Sequence, residues 1–150
     1  MKPLHAVALS ASLVLVPLAT TAEEGPMTTA ASGSVAETVA ALSAAIEAAG
    51  ARVFAVIDHG AGAQAVSKDV GEMQLLVFGN PAIGTPAILD DPMAGLRLPL
   101  KVLVFEGADG TTQMAWETPA AMLAGLDIPA DAAYLGKMAG ALENLTNAAK

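Results

Sequence analysis

Two adjacent residues, Asp58 and His59, stand where the β-rich run "RVFAVID" (52–58) ends. A histidine beside a carboxylate can act as a general acid or base near neutral pH. Because successive residues of a strand point to opposite faces, Asp58 can orient the His59 ring only if the strand ends between them. The alternative is that one residue caps the strand end and the other is an exposed polar residue.

The stretch "LLVFGNPAIGTP" (75–86) carries glycines at the spacing of a phosphate-binding loop, G-x-x-x-x-G-K-[ST]. Thr85-Pro86 stands where that loop needs Lys-Ser or Lys-Thr, and the prolines at 81 and 86 remove amides that would bind phosphate. The stretch therefore predicts a strand that ends in a rigid turn, which positions Asn80 and Thr85. It does not predict a nucleotide site, and we expect no cofactor.

Lys101 lies inside the strand-like run "LPLKVLVFE" (98–106). If it lines a cavity with His59 and Asn80, the three side chains form a polar cluster suited to a small anionic or carbonyl ligand. The alternative is a lysine on an edge strand with its ammonium in solvent. The candidate ligand-binding residues are Asp58, His59, Phe78, Asn80, Thr85 and Lys101.

Other chemistries have weaker signatures. The carboxylates near His59 lack the spacing of metal ligands, and the sequence has neither G-x-S-x-G nor S-x-x-K. Methionine thioethers suit Cu(I), but those beyond the N-terminal segment do not pair at short spacing, and methionine commonly fills gaps in a core. We therefore assign no catalytic or metal-ligating residue, with methionine- and histidine-based copper binding left as an alternative.

The elements that must position these residues follow from periodicity and capping signals. Ser34 and Glu37 form a capping box that begins a helix ending at Gly50, and an apolar stripe predicts a final helix over 131–149. Strands are predicted at 27–32, 52–58, 72–79, 98–106 and 111–117, the last two joined by a hairpin at Asp109-Gly110. Thr85-Pro86 and Thr118-Pro119 each predict a short helix. The continuous apolar character of 52–58 predicts a strand covered on both faces over part of its length. This pattern indicates an α+β fold, with two main helices on one face of a mainly antiparallel sheet.

The first 22 residues have the layout of a secretory signal peptide: Lys2, an apolar stretch from Ala6 to Leu18, and small residues at the end. We expect one domain at 23–150 that is periplasmic or secreted, and that does not insert into a membrane after cleavage. The chain has no cysteine and carries 15 acidic against 7 basic residues, for a net charge of −8. Such a surface repels nucleic acid and anionic lipid, which excludes nucleic-acid binding.

Four motifs in this order and spacing resemble the domain of unknown function 302 family: "IDHGAGA" (57–63), "LLVFGNPAIGTP" (75–86), "LRLPLKVLVFE" (96–106) and "WETP" (116–119). The resemblance implies a fold similar to the TATA-box-binding-protein-like class and a small homodimer, often exported, with no established activity. The chain departs from the family pattern at Met73-Gln74, at Ala87-Ile88, and at Leu123-Ala124-Gly125, where members often have an Arg-His pair. That departure weakens a shared two-histidine site.

Three functions remain open on these residues. The first is a non-enzymatic exported domain that binds a small ligand or an exported partner protein through the "FGNPAIGTP" rim. The second is an enzyme that uses His59 as acid or base, with Asn80 or Lys101 polarising the substrate. The third is a structural or accessory homodimer in which the motifs stabilise only the fold and the interface.

Overall fold

The computed structural model describes residues 25–150, so the segment for which a signal peptide is predicted lies outside it. No helix in this described part is long and apolar enough to cross a membrane. The elements in chain order are β1 (Met27–Ala31), α1 (Val35–Ala48), β2 (Arg52–Asp58), α2 (His59–Gln64), β3 (Met73–Gly79), α3 (Pro81–Asp90), α4 (Ala94–Arg97), β4 (Leu100–Glu106), β5 (Thr112–Trp116), α5 (Pro119–Met122) and α6 (Ala133–Ala148).

The five strands form one sheet in the order β1-β5-β4-β3-β2, and every neighbouring pair is antiparallel. β4 is the central strand and β2 is an edge strand. The turn at Asp109-Gly110 joins β4 to β5, where Gly110 adopts a φ of 78° that favours glycine.

The core lies between one face of the sheet and the two long helices, α1 and α6. Ser34 and Glu37 form the reciprocal capping box that begins α1, and Gly50, at a φ of 72°, follows its end. On the face that packs against these helices, alternate residues of β3, β4 and β5 are buried. Together with the apolar stripes of the two helices they form the core, whose members include Val35, Leu42, Ile46, Leu76, Phe78, Val102, Val104, Met114, Met138 and Leu142.

The opposite face of the sheet carries neither long helix, and we call it the open face. The strand register shows which residues of β1 to β5 point to this face and lie beside one another across the strands. Its members are Thr28, Ala30, Arg52, Ala55, Ile57, Met73, Leu75, Val77, Gly79, Lys101, Leu103, Phe105, Gln113 and Ala115.

The predicted α+β class, the antiparallel sheet and the two main helices on one face are confirmed. Two local predictions are wrong. For the "FGNPAIGTP" stretch, the sequence predicts a turn after the strand and a helix that starts at Thr85-Pro86. Instead, α3 begins at Pro81, directly after the strand, with Asn80 as its N-cap. The run 52–58 is not covered on both faces, because it is the edge strand β2, where Phe54, Val56 and Ile57 are 44–50% exposed.

Candidate functional site

A cavity of about 270 Å³ opens between α3, α6 and the end of the sheet where β3 leaves and β4 enters. Its wall is almost entirely apolar. The side chains that shape it include Phe54, Phe78, Ile83, Leu98, Pro99 and Met138, with Asn80 and Thr85 as its polar residues. Phe54 and Ile88 are 50% and 40% exposed, so they form the side of the cavity that faces solvent.

Asn80 fixes the direction in which α3 leaves the sheet. Its Oδ1 accepts a hydrogen bond from the Ala82 amide at 2.9 Å, and its Nδ2 donates to the Gly50 carbonyl at 3.2 Å. Pro81 occupies the first helical position, where a missing amide costs nothing. The Asn80 side chain therefore ties the start of α3, one wall of the cavity, to the end of α1.

Two glycines allow the walls of the cavity to come close. A Cβ on Gly79 would lie 3.4 Å from Cε2 of Phe54 and 3.6 Å from Cβ of Pro99. A Cβ on Gly84 would lie 3.6 Å from Cδ1 of Leu98. The glycine spacing that resembles a phosphate loop thus serves apolar packing.

Phe54 reaches the cavity because β2 contains a bulge. The register with β3 shifts between Val53 and Ala55, so one extra residue stands in β2 at Phe54. A bulge breaks the strict alternation of side chains along a strand. Phe54 therefore lines the cavity from an edge strand whose next apolar residues, Val56 and Ile57, are exposed.

α6 supplies the wall opposite α3, with Met138, Ala141 and Leu145 on one stripe. At the start of α6 the hydroxyl of Tyr134 donates a hydrogen bond to Asp90 Oδ2 at 2.8 Å, which joins α6 to the end of α3. Burial, the hydrogen bond to Asp90 and the negative charge of that carboxylate raise the pKa of Tyr134 to about 12. Beside it, amide hydrogen bonds from Asp127 and Met93 lower the pKa of Asp91.

No titratable side chain of residues 25–150 lines the cavity. The Asn80 side chain is already hydrogen-bonded at both of its polar atoms, and Thr85 is an exposed residue whose hydroxyl supplies the second polar group. An ion placed here would lose its hydration without a compensating charge. The site can hold an uncharged, mainly apolar molecule.

The predicted cluster of His59, Asn80 and Lys101 is wrong, because these residues lie in different places. Arg52 pairs with Gly79 at one end of β2 and Asp58 with Gln74 at the other, so about 20 Å of strand separates Asn80 from His59. His59 is exposed at the start of α2, and Asp58 caps that helix by accepting from the Ala61 amide at 2.8 Å. Neither residue faces the cavity.

Lys101 is also separate from the cavity. It lies on the open face of the central strand, and not on an edge strand, and its Nζ donates to the carbonyls of Arg97 at 2.7 Å and Pro99 at 3.3 Å. Of the six candidate residues, the structure brings Phe78, Asn80 and Thr85 together at the cavity.

Sequence reasoning missed Phe54, Leu98 and Met138. An aromatic residue within a short apolar strand carries no sign of a bulge, and Met138 belongs to a stripe that is indistinguishable from ordinary core packing. In the described part of the chain, no group of three or more His, Asp or Glu side chains is close enough to hold a metal ion.

Comparison with known proteins gives both longer relatives and a solved structure. The chain is 35% identical over 104 residues to "Fluoride-specific ion channel FluC 1" of Brucella suis biovar 1 (strain 1330), covering 69% of this chain and 41% of that protein. It is equally similar to the protein of the same name from Brucella abortus biovar 1 (strain 9-941), of which it covers 38%. The chain thus spans about two-fifths of the length of these relatives.

A crystal structure of an uncharacterized conserved DUF302 protein from Bacillus stearothermophilus has the same fold, with a TM-score of 0.76 and 20% sequence identity over 83% of this chain and 98% of that one. The family model described as "Domain of unknown function DUF302" matches residues 27–149. That range includes every strand and helix described above. The chain therefore belongs to the DUF302 family.

Proposed function

We propose that this protein is a binding domain whose cavity takes an uncharged, mainly apolar small molecule. The observation that carries the proposal is the 270 Å³ cavity with an apolar wall and only Asn80 and Thr85 as polar residues. Concave, mainly apolar sites with a few polar groups are the usual form of small-molecule sites. The predicted signal peptide supports a periplasmic or secreted place of action.

The volume limits the size of the ligand. An engineered cavity of about 150 Å³ in a lysozyme stays dry and binds benzene. A cavity of 270 Å³ has room for a molecule of about ten non-hydrogen atoms. A bicyclic aromatic ring or a short acyl chain fits this description, and the Thr85 hydroxyl can donate one hydrogen bond to it.

The proposal is binding and not catalysis, because His59, the acid–base candidate of the sequence, lies at the other end of the sheet. None of the side chains of residues 25–150 that line the cavity is ionisable, so none of them can move a proton to or from the ligand. Affinity would come from burying apolar surface, at about 25 cal/mol for each Å².

Indole, which is neutral and has the required size, serves as the probe. We expect ligand-observed NMR and calorimetry to show indole binding to the wild-type protein, and Ala141→Leu to abolish it by filling the cavity from α6. Ala139→Leu is the matched control, because Ala139 is exposed on the same helix outside this cavity.

Equal binding by the wild type and Ala141→Leu would contradict the proposal, as would the absence of binding to the wild type at millimolar indole. Circular dichroism of both variants shows whether each remains folded. A variant that binds no indole but keeps its helix content supports a filled cavity.

A second candidate function rests on the names of the Brucella relatives. Because a homologous segment forms part of longer proteins named as fluoride channels, we propose that this domain can serve a fluoride-export system as an accessory protein. A strain that lacks this protein should then be inhibited at lower fluoride concentrations than its parent, and the wild-type gene should restore growth. Identical growth curves across a fluoride series would contradict this role.

A further inference from the structure

We infer that a second cavity, between β1, the start of α5 and the C-terminal half of α6, binds a neutral saccharide. Its volume is about 390 Å³. Among residues 25–150 it shares no lining residue with the first cavity, so the inference does not depend on the proposed apolar ligand. The lining residues are Met27, Thr28, Thr29, Trp116, Thr118, Pro119, Ala139, Glu143, Thr146, Asn147 and Lys150.

Trp116 supplies the aromatic surface of this second cavity. It pairs with Met27 across β5 and β1, and the neighbouring pair on the same face is Thr29 with Met114. Met114 is fully buried against the helices, so Trp116 and Thr29 face the helices as well. Trp116 is half-buried and lines the cavity, which leaves part of its indole ring accessible to a ligand.

α6 supplies the polar side of the second cavity. Glu143 and Asn147 are one helical turn apart on the same face of α6, and Lys150 follows the end of the helix. All three residues are exposed. A carboxylate, an amide and an ammonium group therefore lie in a row on one side of the cavity, and the indole belongs to the other side.

Several polar side chains of the second cavity are not needed to hold the fold together. Thr118 and Thr146 are hydrogen-bonded to the backbone of α5 and α6. By contrast, the side chains of Thr29, Glu143 and Asn147 have no hydrogen-bond partner among residues 25–150. A hydroxyl, a carboxylate and an amide are thus available to a ligand.

A sugar ring matches this set of groups. Each sugar hydroxyl both donates and accepts, so one ring can donate to the Glu143 carboxylate and accept from the Asn147 amide and the Lys150 ammonium. The C–H groups on one face of a pyranose form an apolar surface with a weak positive charge. That surface packs against the face of an indole, which carries partial negative charge.

Other ligand classes fit the second cavity less well. Seven of its eleven lining residues are polar, so an apolar molecule would bury polar groups without replacing their hydrogen bonds to water. An anion would approach Glu143 in a chain with a net charge of −8. The two charges of an amino acid are only about 3 Å apart, whereas seven positions of helix, from Glu143 to Lys150, span about 10 Å.

The volume is suited to a single sugar ring. If a cavity of about 150 Å³ holds benzene, 390 Å³ has room for a molecule of about 15 non-hydrogen atoms. A hexose has about twelve, and an acetamido substituent fills the remaining space. For a ligand of this size in an open site we expect a dissociation constant of about 1 mM.

Fluorescence of Trp116 tests the inference, because this is the only tryptophan of the chain and it lines only the second of the two cavities. The probes are methyl glucoside, methyl galactoside and N-acetylglucosamine. We expect at least one of them to change the Trp116 emission in a saturable titration. Ligand-observed NMR should show saturation transfer from the protein to the C–H groups of that sugar.

Asn147→Leu should weaken binding of that sugar at least about tenfold, because it removes an amide that donates to and accepts from the ring hydroxyls. Asn144→Leu is the matched control: Asn144 is exposed on the same helix but does not line the cavity, so its binding should equal that of the wild type. Glu143→Ala is a second variant, for the case in which circular dichroism shows that Asn147→Leu has lost helix.

Three results overturn the inference. The first is no change in Trp116 emission with any of the three sugars at a hundred times the expected dissociation constant. The second is equal affinity of the wild type and the folded site variant. The third is a saturable response to glycine betaine with none to the sugars, since this would assign the cavity to a quaternary ammonium ligand held by the indole and Glu143.

Discussion

Replacing Phe78 by alanine should lower the free energy of unfolding by about 3–5 kcal/mol, the usual cost of removing a buried phenyl ring. Phe78 is 1% exposed and lies on β3 between the helices and the cavity. Since a domain of this size is stable by about 5–15 kcal/mol, the loss removes a large part of the total. Urea unfolding followed by circular dichroism measures it.

Phe54→Ala is the comparison that separates the core from the site. Phe54 lines the same cavity but is half exposed, so its loss should cost only about 1 kcal/mol. We expect Phe54→Ala to weaken indole binding while the protein remains stable. A loss for Phe54→Ala as large as that for Phe78→Ala would show that Phe54 is packed as tightly as a core residue, which contradicts its role as a solvent-facing wall of the cavity.

Raising the pH from 10 to 12 should destabilise the protein through Tyr134. Its folded pKa is raised to about 12, above the value near 10 of an unfolded tyrosine. The unfolded chain therefore releases this proton first, so the contribution of Tyr134 is complete below pH 10 and is lost as the pH rises to 12. Thermal unfolding at a series of alkaline pH values measures the decrease.

Tyr134→Phe removes both the titrating hydroxyl and its hydrogen bond to Asp90. The variant should be less stable than the wild type at pH 8, and its melting temperature should fall less between pH 10 and 12. If both proteins lose stability in parallel over this range, another group is responsible.

The fold could be predicted from the sequence because its signals are local. The Ser34 and Glu37 capping box, the Asp109-Gly110 hairpin and the Thr118-Pro119 helix start each depend on a few adjacent residues, and each is present. The start of α3 was harder, because Asn80-Pro81 and Thr85-Pro86 are both N-cap and proline pairs. The helix begins at the first pair and continues through Pro86, whose nitrogen donates no hydrogen bond, to Asp90, which accepts a hydrogen bond from Tyr134 of α6.

The candidate site could be predicted only in part, because its residues meet through strand pairing. Phe78, Asn80 and Thr85 lie within eight positions of one another and were found together. His59 follows one apolar run and Lys101 lies within another, so the sequence alone gives no reason to separate them from Asn80. The antiparallel register places His59 at the opposite end of the sheet from Asn80. The apolar run 52–58 does not show whether its strand is central or at an edge, since its outward residues are apolar in either position.

The bulge in β2 has an implication for other members of the family. The aromatic wall exists because β2 has one residue more than β3 between the pairs Val53–Phe78 and Ala55–Val77. A relative without the added residue would keep regular alternation along this edge, and an aromatic side chain there would not meet its Gly79 equivalent. The number of residues in β2 relative to β3, and not only which residues they are, should therefore distinguish family members that have the cavity from members that share only the fold.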